Sequence, residues 1–350
     1  EIYNKPMMEL LYEAATIHRL HHDPNVVQVS TLLSIKTGGC SEDCGYCPQA
    51  ARYHTNIEGN DLMTVQQVKA QALRAKETGS SRVCMGAAWR NVKDGEEFYQ
   101  VLEMVRTINK LDMEVCCTLG MVTENQAKRL AEAGLYAYNH NLDSSEEYYK
   151  EVISTRGYQD RLDTIENVRK TNVTVCSGGI IGMGESVEDR AGMLVALSTL
   201  NPQPESTPIN ALVAVEGTPL EDEKPVEIWD MIRMVATTRI VMPETQVRLS
   251  AGRTQMSREG QAMCFFAGAN SIFAGDKLLT TPNPDVNEDM KMFELLGMNP
   301  QKPFTKKVQP QTVEASDSQY QALGEKPRWT RPDHKIERNE IAKEKAKTLK

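Results

Sequence analysis

Between residues 38 and 49 the chain reads Gly-Gly-Cys-Ser-Glu-Asp-Cys-Gly-Tyr-Cys-Pro-Gln, which places Cys40, Cys44 and Cys47 at spacing C-x3-C-x2-C. Glycines in and around the run let the backbone curl, so three sulfurs can point at one object. Three thiolates around a cubane iron–sulfur cluster leave one iron without a protein ligand, open to a small molecule. A structural zinc ion is the competing occupant. It takes four ligands, with thiols in C-x2–4-C pairs, and His54 is available as the fourth. A disulfide fits poorly, because three is odd and the spacings are tight.

Cys84, Cys116, Cys176 and Arg248 stand apart from that loop, each inside a short apolar, β-branched run. Such runs recur at 27–35, 82–87, 114–119, 137–142, 173–180, 209–213, 247–251 and 271–273, with charged amphipathic helix patterns between them. Helical periodicity covers 64–78, 96–111, 124–133, 162–170, 188–200, 226–241 and 259–267, and Thr64, Thr123, Ser186 and Ser257 stand where N-caps belong. Eight strands alternating with helices over about 250 residues predict an α/β fold, a parallel (βα)8 barrel of the TIM type. An open doubly wound sheet is the second choice. Residues 1–25 read as a helical segment capping the barrel, 26–300 as the barrel, and 301–350 as a poorly ordered tail. That tail is basic, with 12 Lys and Arg against 7 Asp and Glu, and its last fifteen residues could form a solvated helix. The glycines at 178, 179, 182 and 184 do not fit G-x-G-x-x-G and no Walker A string occurs, so nucleotide-phosphate cradles have no support.

Composition narrows the class. The 350 residues are 40% hydrophobic and 25% charged, as in an ordinary globular protein, and the formal charge of −8 argues against a nucleic-acid binder. No run of 18 apolar residues predicts a membrane span, and the first residues lack a signal peptide's apolar region. Eight cysteines are too few for a disulfide scaffold and gather at motifs, so a reducing compartment, the cytoplasm, is expected.

Side chains alternate between the two faces of a strand. On that rule Arg82, Cys84 and Gly86 share one face of their run, Glu114, Cys116 and Thr118 another. Asn139, Asn141 and Asp143 line up together, as do Thr174, Cys176 and Gly178, and Gln246, Arg248 and Ser250. Asn210 opposes the set Ile209, Ala211 and Val213. The apolar sets must meet the helices, which turns the polar sets toward the barrel axis. Burial without partners costs about 1–3 kcal/mol for a neutral polar group and more for a charge. The interior must therefore hold something polar. A single buried cysteine behaves as a small hydrophobe, and Cys117 and Cys264 read that way. Three on the polar faces of separate strands, beside an arginine, read as a ligand set.

The C-x3-C-x2-C string with an aromatic residue before its last cysteine is similar to the signature of radical S-adenosylmethionine enzymes. The longer string at 37–49 resembles that of the biotin synthase family. So do Cys84-Met-Gly-Ala-Ala-Trp89, Cys116-Cys-Thr-Leu-Gly120, Tyr138-Asn-His-Asn-Leu-Asp143, Val175-Cys-Ser-Gly-Gly-Ile180, Val247-Arg-Leu-Ser-Ala-Gly-Arg253 and Leu279-Thr-Thr-Pro-Asn-Pro284. The likeness covers residues 5–300.

The resemblance implies a [4Fe–4S] cluster on Cys40, Cys44 and Cys47, whose open iron binds S-adenosylmethionine. It implies a [2Fe–2S] cluster on Cys84, Cys116, Cys176 and Arg248. The implied reaction cleaves S-adenosylmethionine to a 5′-deoxyadenosyl radical, removes hydrogen from dethiobiotin, and moves sulfur from the second cluster to the resulting carbon radicals. Asn141 and Asp143 would hold the ribose hydroxyls, Arg161 the methionyl carboxylate, and Tyr46 and Ile180 the rest of the cofactor site, Tyr46 at the adenine. Asn141 and Asn210 would bond the ureido ring of dethiobiotin, and Ser271, Thr280 and Thr281 its carboxylate tail. Arg82 would offset cluster charge. A flavodoxin- or ferredoxin-type reductant and a homodimer are also implied, with no nucleic acid or membrane partner. The alternatives are another radical enzyme on the same barrel, such as a hydrogenase-maturation lyase, and a non-catalytic iron–sulfur carrier or zinc protein.

Overall fold

The expected caps form. Thr64, Thr123, Ser186 and Ser257 each accept a backbone N–H from the first turn of a helix, and the first three close full capping boxes. The computed structural model describes residues 1–275 and 277–304. The tail expectation for 301–350 therefore lies outside the described residues from 305 onward.

After helix α1 (Met7–His21), the chain alternates β1 (Val26–Lys36), α2 (Val65–Glu77), β2 (Arg82–Ala87), α3 (Glu96–Asn109), β3 (Glu114–Thr118) and α4 (Glu124–Glu132). Next come β4 (Ala137–Asn139), α5 (Glu146–Val152), α6 (Tyr158–Arg169), β5 (Thr174–Cys176), β6 (Gly179–Ile181) and α7 (Val187–Thr199). The last part holds β7 (Ser206–Ala211), α8 (Ile228–Val241), β8 (Gln246–Leu249), α9 (Arg258–Phe266), β9 (Ser271–Ala274), α10 (Val286–Leu296) and β10 (Asn299–Pro300). The strands run β1-β2-β3-β4-β5-β7-β8-β9, all parallel, and β9 returns to pair with β1. The sheet is thus a closed eight-stranded barrel.

Three departures occur, and the first two have local causes. The run 173–180 splits into β5 and β6 at Ser177 and Gly178, where a Cβ on Gly178 would sit 2.0 Å from the Pro208 carbonyl oxygen. The sixth strand begins at Ser206, ahead of the apolar residues that marked it at 209, because its first residues pair with β8 from Ser206 onward. Helices α5 and α10 were not expected from periodicity.

Parity holds. Val83, Met85, Val115, Cys117, Leu119, Tyr138 and Val175 join the core shared with the helices, whereas Cys84, Cys116, Cys176, Ala137 and Phe273 form a separate inner cluster. At the N-terminal ends of the strands, β10 pairs with β1, and the Phe304 N–H donates to Glu114 at 2.7 Å. Residues 299–304 thereby floor the barrel.

Helix α1 packs against α8 and buries His18, which is 1% exposed with no hydrogen-bond partner for Nε2 among the described residues. Burial, with Arg239 and Arg19 nearby, pushes its pKa from 6.5 down to about 3. On acidification the unfolded chain takes up a proton that the folded chain refuses. Stability present above the unfolded value is therefore lost as pH falls toward the folded one, at about 1.4 kcal/mol per pH unit. His18→Leu is expected to flatten that slope when urea unfolding is compared at about pH 7 and about pH 5. An unchanged slope would show that the ring ionises in the fold.

Candidate active site

Strand register brings the inner thiols to one level. Cys84 stands opposite Cys116, Asn139 opposite Cys176, and Arg248 opposite Ser271. The three cysteines are 3%, 1% and 0% exposed. Cys116 lies within hydrogen-bonding reach of both neighbours. Its hydrogen bond, followed by the Arg248 and Arg82 charges, holds Cys176 down to about 7 against the opposing effect of burial. Cys84 is lowered, with its own contact to Cys116 as the leading cause, and Cys116 itself is raised because it is the proton donor toward both neighbours.

Arg248 is fully buried. Its Nε donates to Ser271 Oγ at 2.8 Å, its Nη2 to Gln28 Oε1 at 2.7 Å, and its Nη1 lies 4.0 Å from Cys176 Sγ. The guanidinium also lies over the Phe273 ring, 4.6 Å from its centre. Among the described residues no carboxylate pairs with it. A buried cation needs a counter-charge, and the thiols are the groups positioned to supply one. This donor set fits a thiolate-held iron–sulfur group.

Arg82 has partners besides the thiols. Its Nε donates to Glu114 at 2.8 Å, its Nη1 and Nη2 donate to Glu205 at 3.2 and 3.1 Å, and Tyr136 covers its face. Two carboxylates pair with that charge, so Arg82 braces the barrel while its guanidinium still favours the charged form of Cys84 and Cys176.

The three-thiol loop leaves β1 through Gly38 and Gly39, both left-handed at φ +76° and +72°, which disfavours any other residue there. Burial pushes Cys44 up to about 11 and Cys47 up to about 12, and it also raises Cys40. As bare thiols they stay protonated at neutral pH, so a metal centre would have to draw off the protons. His54, the possible zinc ligand, is exposed. Among the described residues no three His, Cys, Asp or Glu side chains close on one ion-sized position. A polynuclear cluster holds its thiolates farther apart than a tetrahedral zinc ion does.

The C-terminal rim gathers most of the remaining expected residues. Asp143, left-handed at φ +68°, accepts the Tyr46 hydroxyl at 2.7 Å and pairs with Arg161 Nη2. Arg161 also donates to the Asn141 carbonyl at 2.8 Å and the Tyr149 hydroxyl at 3.0 Å. Asn141 Oδ1 accepts the Gly178 N–H, and Asn210, opposite Ile180 in register, donates to the Gly179 carbonyl at 2.9 Å. Thus Tyr46, Asn141, Asp143, Arg161, Ile180 and Asn210 share the end of a barrel where active sites form.

The expected set Ser271, Thr280 and Thr281 is not gathered. Ser271 lies at the base of β9, bonded to Arg248 and Gln28, whereas Thr280 and Thr281 lie in the loop beyond the other end of that strand. That loop passes over the end of β1, from β9 to β2. Leu278 joins the inner cluster, and Leu279 presses on Gly86, where a Cβ would stand 2.7 Å from it. Thr280 borders a cavity of about 600 Å³ together with Thr31, Ser34, Thr37 and Lys277.

Gln28 and Ser30 on β1, and Asn139, whose amide donates to Cys176 Sγ at 3.7 Å, were not assigned roles from sequence. Alternation along β1 places Gln28, Ser30 and Leu32 on one face, so the signal was present. Cys117 provides a control. It is buried among the helices, so Cys117→Ala is expected to leave the metal content unchanged and cost about 1 kcal/mol in chemical unfolding. Loss of the inner metal group would show that the strand faces are misassigned.

Comparison with known proteins bears on the same residues. The radical SAM superfamily model matches residues 34–197, and the biotin and thiamin synthesis associated domain matches 208–299. A biotin synthase of Flavobacterium johnsoniae is 87% identical over 99% of this chain and 95% of its own length. Among solved structures, methylornithine synthase superposes with a TM-score of 0.72 at 18% identity, over 85% of this chain and 89% of its own. An [FeFe]-hydrogenase maturase does so at 0.73 and 17%, over 86% and 70%. Those two likenesses speak to the fold alone. The 87% identity over nearly the whole length goes further, and it joins the three-thiol loop and the inner thiols to one conclusion: the chain belongs to the biotin synthase family of radical S-adenosylmethionine enzymes.

Proposed function

We propose that this chain forms biotin from dethiobiotin with a [4Fe–4S] cluster on Cys40, Cys44 and Cys47 and a [2Fe–2S] cluster on Cys84, Cys116, Cys176 and Arg248. The observation that carries the reading is the inner set: three buried thiols around an arginine that no described carboxylate pairs with. When bound, the iron–sulfur groups and S-adenosylmethionine supply the electron, the hydrogen-abstracting radical and the sulfur.

The chain's own residues supply placement. Asp143, oriented by Tyr46 and Arg161, faces the rim as an acceptor for a ribose diol, with Asn141 beside it. Arg161 offers its charge to the methionyl carboxylate, and Ile180 lines the same site. Asn141 and Asn210 hydrogen-bond the ureido ring. Thr280 and Thr281 receive the carboxylate tail from the loop that follows β9, while Ser271 steadies Arg248. Leu278 and Leu279 cover the mouth, which keeps water from the interior where a carbon radical forms. Residues 26–300 act as one catalytic barrel. The reading also includes a homodimer, a flavodoxin- or ferredoxin-type electron donor and a cytoplasmic setting.

A hydrogenase-maturation lyase is the weaker reading, because it gives the inner thiols and Arg248 no use. Anaerobic reconstitution followed by dethiobiotin, S-adenosylmethionine and a reductant should yield biotin and two distinct cluster spectra. Two clusters without biotin, or zinc in place of iron, would sink the assignment.

A further inference from the structure

Asp43 lies inside the three-thiol loop, one residue before Cys44, and is 8% exposed. Its carboxylate reaches 111 residues along the chain, to the turn between α5 and α6. Oδ1 accepts the Ser154 N–H at 2.9 Å and the Thr155 N–H at 3.0 Å, and it lies 2.8 Å from the Thr155 hydroxyl, which Glu42 Oε2 also contacts. Oδ2 accepts the Ser154 hydroxyl and, at 3.3 Å, Arg52 Nη1. The backbone follows the same path: the Asp43 N–H donates to Thr155 Oγ1 at 3.2 Å, and the Gly45 N–H donates to the Val152 carbonyl at 2.9 Å.

That turn is the link between two residues of the rim. Helix α5 begins just after Asp143, and α6 carries Arg161. A glycine-flanked loop has no regular structure of its own to hold its thiols in place. A buried carboxylate fixed by backbone N–H groups is a rigid anchor, since charge-assisted bonds are both short and directional.

We propose that Asp43 is a positioning residue of the cluster loop. It sets the Cys44 end of that loop against the wall bearing Asp143 and Arg161, so that an iron–sulfur group on the thiols and an S-adenosylmethionine on the wall meet in register. The proposal rests on the assignment of Cys40, Cys44 and Cys47 as ligands.

Asp43→Ala and Ser154→Ala test it from the two sides of the contact, Ser154 being chosen because its hydroxyl bonds Asp43 whereas that of Thr155 also contacts Glu42. Each full-length variant and the parent are reconstituted anaerobically, and iron release to a chelator is followed optically. The loop cluster should be lost about tenfold faster or more, the range expected when a group supporting a metal ligand is removed. The inner cluster should be lost at the parental rate. Addition of S-adenosylmethionine should also perturb the electron paramagnetic resonance signal of the reduced loop cluster less than in the parent. Parental behaviour in both variants would overturn the proposal, and so would joint loss of both clusters, which marks a general folding role. A parent that holds no cluster on Cys40, Cys44 and Cys47 would defeat the ligand assignment and this proposal with it, and the parent alone reveals that case.

Discussion

A Cys176→Ala chain is expected to emerge from anaerobic reconstitution with its loop cluster intact, its inner cluster missing and biotin formation abolished. Cys176 is the inner thiol on which the most contacts converge. Arg248 lies 4.0 Å away, Asn139 donates to it at 3.7 Å, and Cys116 shares a proton with it. Removing its sulfur leaves two thiols and an arginine, too few donors for a four-ligand centre. The loop cluster should not notice, because its thiols sit on a separate segment tied to residues 152–155. Absorption, electron paramagnetic resonance and iron per chain read the two sites separately. Loss of both clusters, or of neither, would defeat the inner-site assignment.

The second large effect concerns the brace beneath those thiols. Arg82→Met is expected to lower the unfolding free energy by about 3–5 kcal/mol, the usual result of removing one partner from a buried ion pair. Glu114 is 1% exposed and among the described residues keeps only the Phe304 N–H once the guanidinium is gone, while Glu205 loses both of its bonds to Arg82. Adding Glu114→Gln should restore part of the loss, because it removes one stranded charge. Guanidinium unfolding of the three chains measures this. A loss below about 1 kcal/mol in the single variant would mean that water or a rearranged floor satisfies the carboxylates.

Much of the site could be read before any coordinates. Strand alternation turned Cys84, Cys116, Cys176 and Arg248 inward and Cys117 outward, and the structure agrees at every one of these positions. The barrel, its caps and the three-thiol loop were legible for the same reason: each is written in spacings of a few residues, over which backbone geometry has a fixed period. Where periodicity was short or interrupted, the reading slipped, as at Ser206 and at Gly178.

What could not be read was which polar groups meet once the barrel closes. Arg82 finds Glu205, Asp43 finds residues 154 and 155, and Ser271 turns to Arg248 instead of joining Thr280 and Thr281. Side-chain direction is a local property of a strand, so the pattern of residues carries it. Partnership across the barrel depends on the pairing of β1 with β9 and on the stagger of each strand against the next. Those offsets arise from packing over the whole ring, and no short stretch of the chain contains them.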